Sequence, residues 1–201
     1  MQRIVRTMAA ALGLAASLVF CAQVAAAEAE EPAKKPTRVA DCVYVPTPND
    51  VTAKMLEMAE IKKSDLVYDL GCGDGRIVIT AAKRFGCKAV GYEINADLVA
   101  EAIQNAKKRK VDDLVQIKQE DIFTLDLSKA NVITLYLLPG MLTKLTPQLE
   151  KLKPGARIVV HDYPISGVKA DKSVTLLSNE DNVKHTIYLY TLPLKKEAQE
   201  E

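Results

Sequence analysis

The sequence predicts an α/β domain: a mostly parallel sheet, doubly wound with helices on both faces, ending in an antiparallel hairpin. Three observations predict it. Leu66 to Arg76 (L-V-Y-D-L-G-C-G-D-G-R) passes from a β-rich apolar run into three glycines, then into the helix-compatible run Ile77, Val78, Ile79, Ala81, Ala82. Strand, glycine turn and helix open a nucleotide-binding βαβ unit. The next strand-like stretch, Lys88 to Glu93, ends in an acid about twenty residues beyond the turn, where such units hold a ribose. Asn131 to Leu138 is almost continuously apolar, as befits a central strand buried on both faces.

In chain order, Arg3 and Arg6 precede an apolar run from Met8 to Phe20, and Ala25-Ala26-Ala27 offers a small-residue cleavage site with no acid before Glu28. Residues 1–27 are expected to be a secretory signal. An uncleaved membrane anchor through residues 8–27 and a mitochondrial presequence are the alternatives. Phe20 is too bulky to precede a lipoprotein Cys21, and two arginines are few for a presequence. The expected location is therefore exported, periplasmic or secreted, or membrane-anchored. Residues 28–40, charged and rich in Ala and Pro, read as a disordered linker. The remainder, roughly 160 residues, suits one domain (41–194) with a charged, frayed tail at 195–201.

Tyr44-Val45-Pro46-Thr47-Pro48 is held extended by its prolines, and Thr47 or Asn49 is expected to cap a helix through Val51, Met55, Leu56 and Ala59. Asp97 to Arg109 has helical periodicity, and a strand is expected over Leu114 to Lys118. Pro139-Gly140 ends the central strand before a helix through Met141, Leu145, Leu149 and Leu152. A turn at Lys153-Pro154-Gly155 leads to a strand over Ala156 to Val160, with His161-Asp162-Tyr163 directly after it. Ser173 to Leu177 and His185 to Leu192 form the hairpin, turning at Asn179 to Asn182.

The glycine spacing bears on the ligand. Dinucleotide folds use G-x-G-x-x-G and face a pyrophosphate. Here the pattern is D-L-G-C-G-D-G, and Asp69 and Asp74 would repel a pyrophosphate while suiting a ligand that carries an ammonium and a sulfonium. The stretch resembles motif I of the class I, seven-stranded, Rossmann-like S-adenosylmethionine methyltransferases, and Gly91-Tyr92-Glu93 resembles their acidic second motif. With Y-V-P-T-P and the Met-Leu helix added, the pattern is similar to a small branch of protein-lysine methyltransferases with mitochondrial and bacterial members. The likeness covers most of residues 42–163.

The resemblance implies S-adenosylmethionine as cofactor, held by Asp69, Gly71, Cys72, Gly73, Asp74, Gly75, Glu93 and Ile94. It implies Asp121 and Ile122 at the adenine, and Tyr44, Thr47 and Tyr136 near the methionine end. Tyr44, Thr47, Tyr136 and His161 are the candidate catalytic residues. His161 stands where strand ends converge and is either a base or a histidine bonded to a loop carbonyl or to Asp162. Many enzymes that methylate planar amines carry N/D-P-P-Y after the central strand. Leu135-Tyr136-Leu137-Leu138-Pro139 lacks that acid or amide, which disfavours exocyclic base methylation.

Composition narrows the partners. The chain carries 27 basic and 26 acidic residues, and loss of Arg3 and Arg6 would leave 25 against 26. That balance gives no electrostatic case for nucleic acid, and Lys107-Lys108-Arg109-Lys110 reads as a solvated helix end. Loss of Cys21 would leave Cys42, Cys72 and Cys87, an odd number that lacks metal-ligand spacing and makes no disulfide framework, so no metal is expected and metal-assisted O-methylation is disfavoured. The expected partner is a protein lysine or a small molecule, met by a monomer, with a membrane involved only if the leader is retained. A small-molecule N- or O-methyltransferase and a non-catalytic S-adenosylmethionine-binding protein are the alternatives.

Overall fold

A computed structural model describes residues 40–197. The leader (1–27) and all but the last residue of the linker lie outside these residues. The main sheet is built from β1 (Leu66–Leu70), β2 (Lys88–Glu93), β3 (Val115–Gln119), β4 (Val132–Leu135), β5 (Arg157–His161), β7 (Lys172–Leu177) and β8 (Lys184–Thr191). These strands lie in the order β3-β2-β1-β4-β5-β8-β7. The first five run parallel, and β8 and β7 are antiparallel additions at one edge. Helices α1 (Asn49–Met58), α2 (Arg76–Phe85) and α3 (Ala96–Lys108) pack on one face, and α4 (Pro139–Leu149) on the other. None of these helices is long and apolar enough to cross a membrane.

Residues of the central strands β1, β4 and β5 alternate between the two cores. Val67, Val132 and Val159 join α1 and α2, while their neighbours Tyr68, Ile133 and Ile158 join Leu142, Leu145 and Leu149 of α4. Both faces of these central strands are thus apolar, which is why their runs show no polar alternation.

Three local expectations are corrected. The central strand ends at Leu135 and not at Leu138. Its partner β1 stops pairing at Leu70, where the chain turns at Gly71, so residues beyond Leu135 have no ladder on that side. Helix α1 takes no side-chain cap from Thr47 or Asn49: Pro48 stands at its N-cap, and the Thr47 hydroxyl is bonded elsewhere. Lys195–Lys196 is not a frayed tail but a short strand, β9, paired with β6 (Val168–Lys169) in a two-stranded sheet. Lys196 Nζ also reaches Glu150 Oε1 at 2.5 Å.

Candidate active site

A cavity of about 440 Å3 opens at the carboxyl ends of β1 to β4, where the strand order reverses between β1 and β4. An open parallel sheet presents its ligand crevice there, and the volume is that of a small-molecule site. At one side stands Glu93, the last residue of β2. Its Oε2 accepts the Gly73 N–H at 3.0 Å, and its Oε1 accepts those of Ile94 and Asn95 at 2.8 and 2.9 Å. A carboxylate has about four acceptor positions, so little more than one is left for a ligand hydroxyl. Ile94 lines the same wall. Beyond β3, Asp121 Oδ1 accepts the Phe123 N–H at 3.0 Å, capping a single 3-10 turn, and Ile122 and Phe123 give that end of the cavity flat apolar surface.

The glycine turn forms the floor. Gly71, Gly73 and Gly75 all take positive φ, at +81°, +52° and +80°. Gly71 and Cys72 line the cavity, whereas Gly73 and Gly75 shape the turn without forming its wall. A Cβ on Gly91 of β2 would stand 2.6 Å from Cys72 Sγ, so that glycine makes the room in which the Cys72 side chain sits. Burial pushes the Cys72 thiol well up and keeps it neutral.

The two motif aspartates part company. Asp69 lines the cavity, is buried, and accepts the Thr134 hydroxyl at 2.7 Å. Burial pushes its carboxyl up to about 7 despite that bond, and the nearby Glu93 and Asp74 add to the rise. Asp74 instead faces a second, polar cleft beside Asn105. Arg76 grips it through Nε and Nη2 at 2.8 to 3.2 Å. Against partial burial, that fork holds the Asp74 carboxyl below the usual range.

The extended segment before α1 closes the cavity as a strap. Thr47 is fastened twice: Arg76 Nη1 donates to its carbonyl at 2.9 Å, and its Oγ1 lies 3.1 Å from His161 Nδ1. The Tyr44 ring lies against Gly73, and its buried hydroxyl sits beside the Asp74 carboxylate and the Arg76 guanidinium. Burial and then the Asp74 charge push that phenol up to about 12.

Tyr136, freed from the sheet just past β4, lines the same end. Its ring packs on the His161 imidazole with centroids 3.9 Å apart. His161 is fully buried and is not a cavity wall; its Nε2 lies 2.9 Å from His185 Nδ1 and 3.3 Å from Asp162 Oδ2. Burial pulls it down to about 4, so it is neutral and supports Thr47 and Tyr136 from beneath.

The chain is similar to known proteins. A family model described as the ANTKMT methyltransferase domain matches residues 69–172. The chain belongs to this family. A protein-lysine N-methyltransferase of Saccharolobus islandicus is 46% identical over 151 residues, covering 74% of this chain and 92% of that protein. The adenine nucleotide translocase lysine N-methyltransferase of Mus musculus is 35% identical over 101 residues, and the match spans less than half of that protein (44%) and 49% of this chain. Among solved structures, an RNA methyltransferase from Salinibacter ruber in complex with S-adenosylhomocysteine is 45% identical with a TM-score of 0.69, covering 78% of this chain and 98% of that one. The protein is a class I S-adenosylmethionine-dependent methyltransferase.

Sequence reasoning assigned this methyltransferase no role for Arg76, Leu137 or Met141. Arg76 ties the strap to the turn, and Leu137 and Met141 line the cavity. Arg76 directly follows the glycines, and its position beside Asp74 was a usable signal. Leu137 and Met141 carried none, since both read as ordinary core residues of a strand and a helix.

Proposed function

We propose that this methyltransferase N-methylates lysine side chains of a protein. One observation carries the reading: past β4 the cavity wall is Tyr136, Leu137 and Met141, and offers no acid or amide to hold a planar base amine. An alkyl ammonium entering such a wall loses hydration, which lowers its pKa and favours the neutral nucleophile. The names of the Saccharolobus and mouse relatives support the same acceptor.

The residues present suit the cofactor. Glu93 would take a ribose hydroxyl, Asp121 with Ile122 the adenine, and Asp69 with the Gly71–Cys72 backbone the cationic methionine end, with the Tyr44 side chain forming part of the wall. When bound, the cofactor supplies an electrophilic methyl group. The chain's own part is alignment and exclusion of water: Tyr136 and Thr47 orient an incoming amine, Tyr44 closes the cavity over it, and solvent takes the amine's proton. His161, buried and neutral, holds Thr47 and Tyr136 in place.

A second reading, RNA methylation, is favoured by the likeness to the Salinibacter protein, which is described as an RNA methyltransferase. The missing acid or amide and the balanced charge weigh against it. Incubation with methyl-labelled cofactor, total RNA and a cell-envelope protein extract separates the two. Label on lysine Nε, located by mass spectrometry, is expected; label confined to RNA would overturn the reading. The leader read from Arg3, Arg6 and the following apolar run extends the proposal to an exported or membrane-anchored enzyme. Alkaline phosphatase fused after residue 40 should be active, and an inactive, cytosolic fusion would remove export.

A further inference from the structure

Beneath the Tyr136 ring, three side chains that the cavity does not use converge. His161 ends β5, Asp162 follows it, and His185 lies on β8, two residues from Ile187, the register partner of His161. Antiparallel pairing places His161 and His185 diagonally on one face of the sheet. His161 Nε2 and His185 Nδ1 are 2.9 Å apart, His185 Nδ1 and Asp162 Oδ2 3.0 Å, and His161 Nε2 and Asp162 Oδ2 3.3 Å. We infer that these three atoms form a binding site for one first-row divalent transition-metal ion, such as Zn2+ or Co2+.

The triangle has the right size. Donors held about 2.1 Å from an ion stand about 3.0 Å apart in an octahedron and about 3.4 Å in a tetrahedron. Protons satisfy it less well. One proton on either imidazole leaves a pair of lone pairs opposed, and one on each sets two N–H groups against each other. An ion at the centre satisfies all three atoms together.

The surroundings are those of a ligand set. A metal-bound imidazole has its second nitrogen held by an outer partner. Here His185 Nε2 lies 3.0 Å from Asp181 Oδ2, and His161 Nδ1 lies 3.1 Å from Thr47 Oγ1. Asp162 is held in a left-handed conformation, φ +61°, that few residues other than glycine adopt. Its backbone N–H donates to the Thr186 carbonyl and its Oδ1 accepts the Thr186 N–H, which aims Oδ2 at the two imidazoles. Both histidines are buried, while the Asp162 side chain is 25% exposed and leaves a solvent side for water ligands. Two imidazoles and one carboxylate select borderline transition ions over Ca2+ or Mg2+, which favour oxygen.

None of the three residues lines the cavity, so the ion would not touch the acceptor amine. It clamps β5 to β8 and fixes the imidazole on which Tyr136 packs and to which Thr47 is bonded. The site escapes sequence inspection because 24 residues separate the two histidines and only strand register joins them.

Chelator-stripped full-length protein, titrated calorimetrically with ZnCl2 and spectroscopically with CoCl2, should bind one ion per chain, with visible absorption for cobalt and a rise in melting temperature. His185→Ala and Asp162→Ala should abolish all three signals. Asp181→Asn, which removes only an outer partner, should weaken binding about 10- to 100-fold. If His185→Ala fails to fold by circular dichroism, His185→Gln and Asp162→Asn carry the same comparison. No saturable uptake by the parent, or uptake that survives in the folded variants, overturns the site.

Discussion

The Tyr44 ring lies so close over Gly73 that a Cβ built on the glycine would stand 2.0 Å from Tyr44 Cε2. Strap and turn are therefore one unit. Gly73→Ala must displace Tyr44 and also carry φ +52°, a strain on the order of 1–3 kcal/mol. Calorimetry should find cofactor binding lost, and denaturant unfolding should find reduced stability. In the double variant with Tyr44→Ala the collision disappears but the strain stays, so part of the stability should return. A Gly73→Ala protein that binds the cofactor normally would mean that the turn is only structural.

Glu93 has work in the fold as well as in binding. Three backbone N–H groups converge on its carboxylate. Glu93→Gln sets an amide donor against some of them. It should cost about 1.5–3 kcal/mol in cofactor affinity and about 1–3 kcal/mol in stability. Unchanged affinity by titration would remove Glu93 from the ribose.

The tyrosine hydroxyls separate rate from binding. Tyr44→Phe removes a buried hydroxyl that sits beside Asp74, so stability should fall by no more than about 1.5 kcal/mol. Tyr136→Phe keeps the ring on His161. Both should slow methyl transfer by about tenfold to a hundredfold while S-adenosylhomocysteine affinity stays within a few-fold of the parent. Full single-turnover rates in both variants would make these tyrosines structural.

Asp69 should give the protein a pH signature. Its folded-state pKa of about 7 lies above the ordinary 3.8. The stability linked to its neutral form is thus complete below pH 3.8 and is lost as pH rises through 7. A cationic ligand favours the ionised form, so cofactor affinity should rise across the same window and level off above it. Asp69→Asn should flatten both profiles in denaturation and calorimetry run from pH 5 to 8.5. Profiles that keep their slope in this variant would assign the titration elsewhere.

The local parts of the site were legible because their chemistry is consecutive. The turn, its positive-φ glycines and Glu93 lie within one βαβ unit, and spacing alone locates them. Asp69 and Asp74 looked equivalent on paper. Their difference comes from partners, Thr134 for one and Arg76 for the other, which only the folded chain reveals. His161 was poised between base and structural residue for the same reason: Thr47 is 114 residues away and His185 is 24. Strand β9 was invisible because two lysines carry no β signal, and pairing with Val168–Lys169 decides their conformation.

The strap also has a fastening at the far end of the chain. The Asp50 carboxylate accepts the Ser178 hydroxyl and the Asn179 N–H, and Glu180 accepts the Asn49 N–H. That tie sets a timetable for synthesis. A ribosome that has released the chain as far as Ile122 has made the turn, Glu93 and Asp121, but not the side chains that bind Asn49 and Asp50. Those anchors emerge only with the tip between β7 and β8, and His185 follows them. The first part of the domain to leave the tunnel therefore receives its last fastening late, and a chain interrupted before residue 178 holds its strap through Thr47 but lacks the anchors at Asn49 and Asp50.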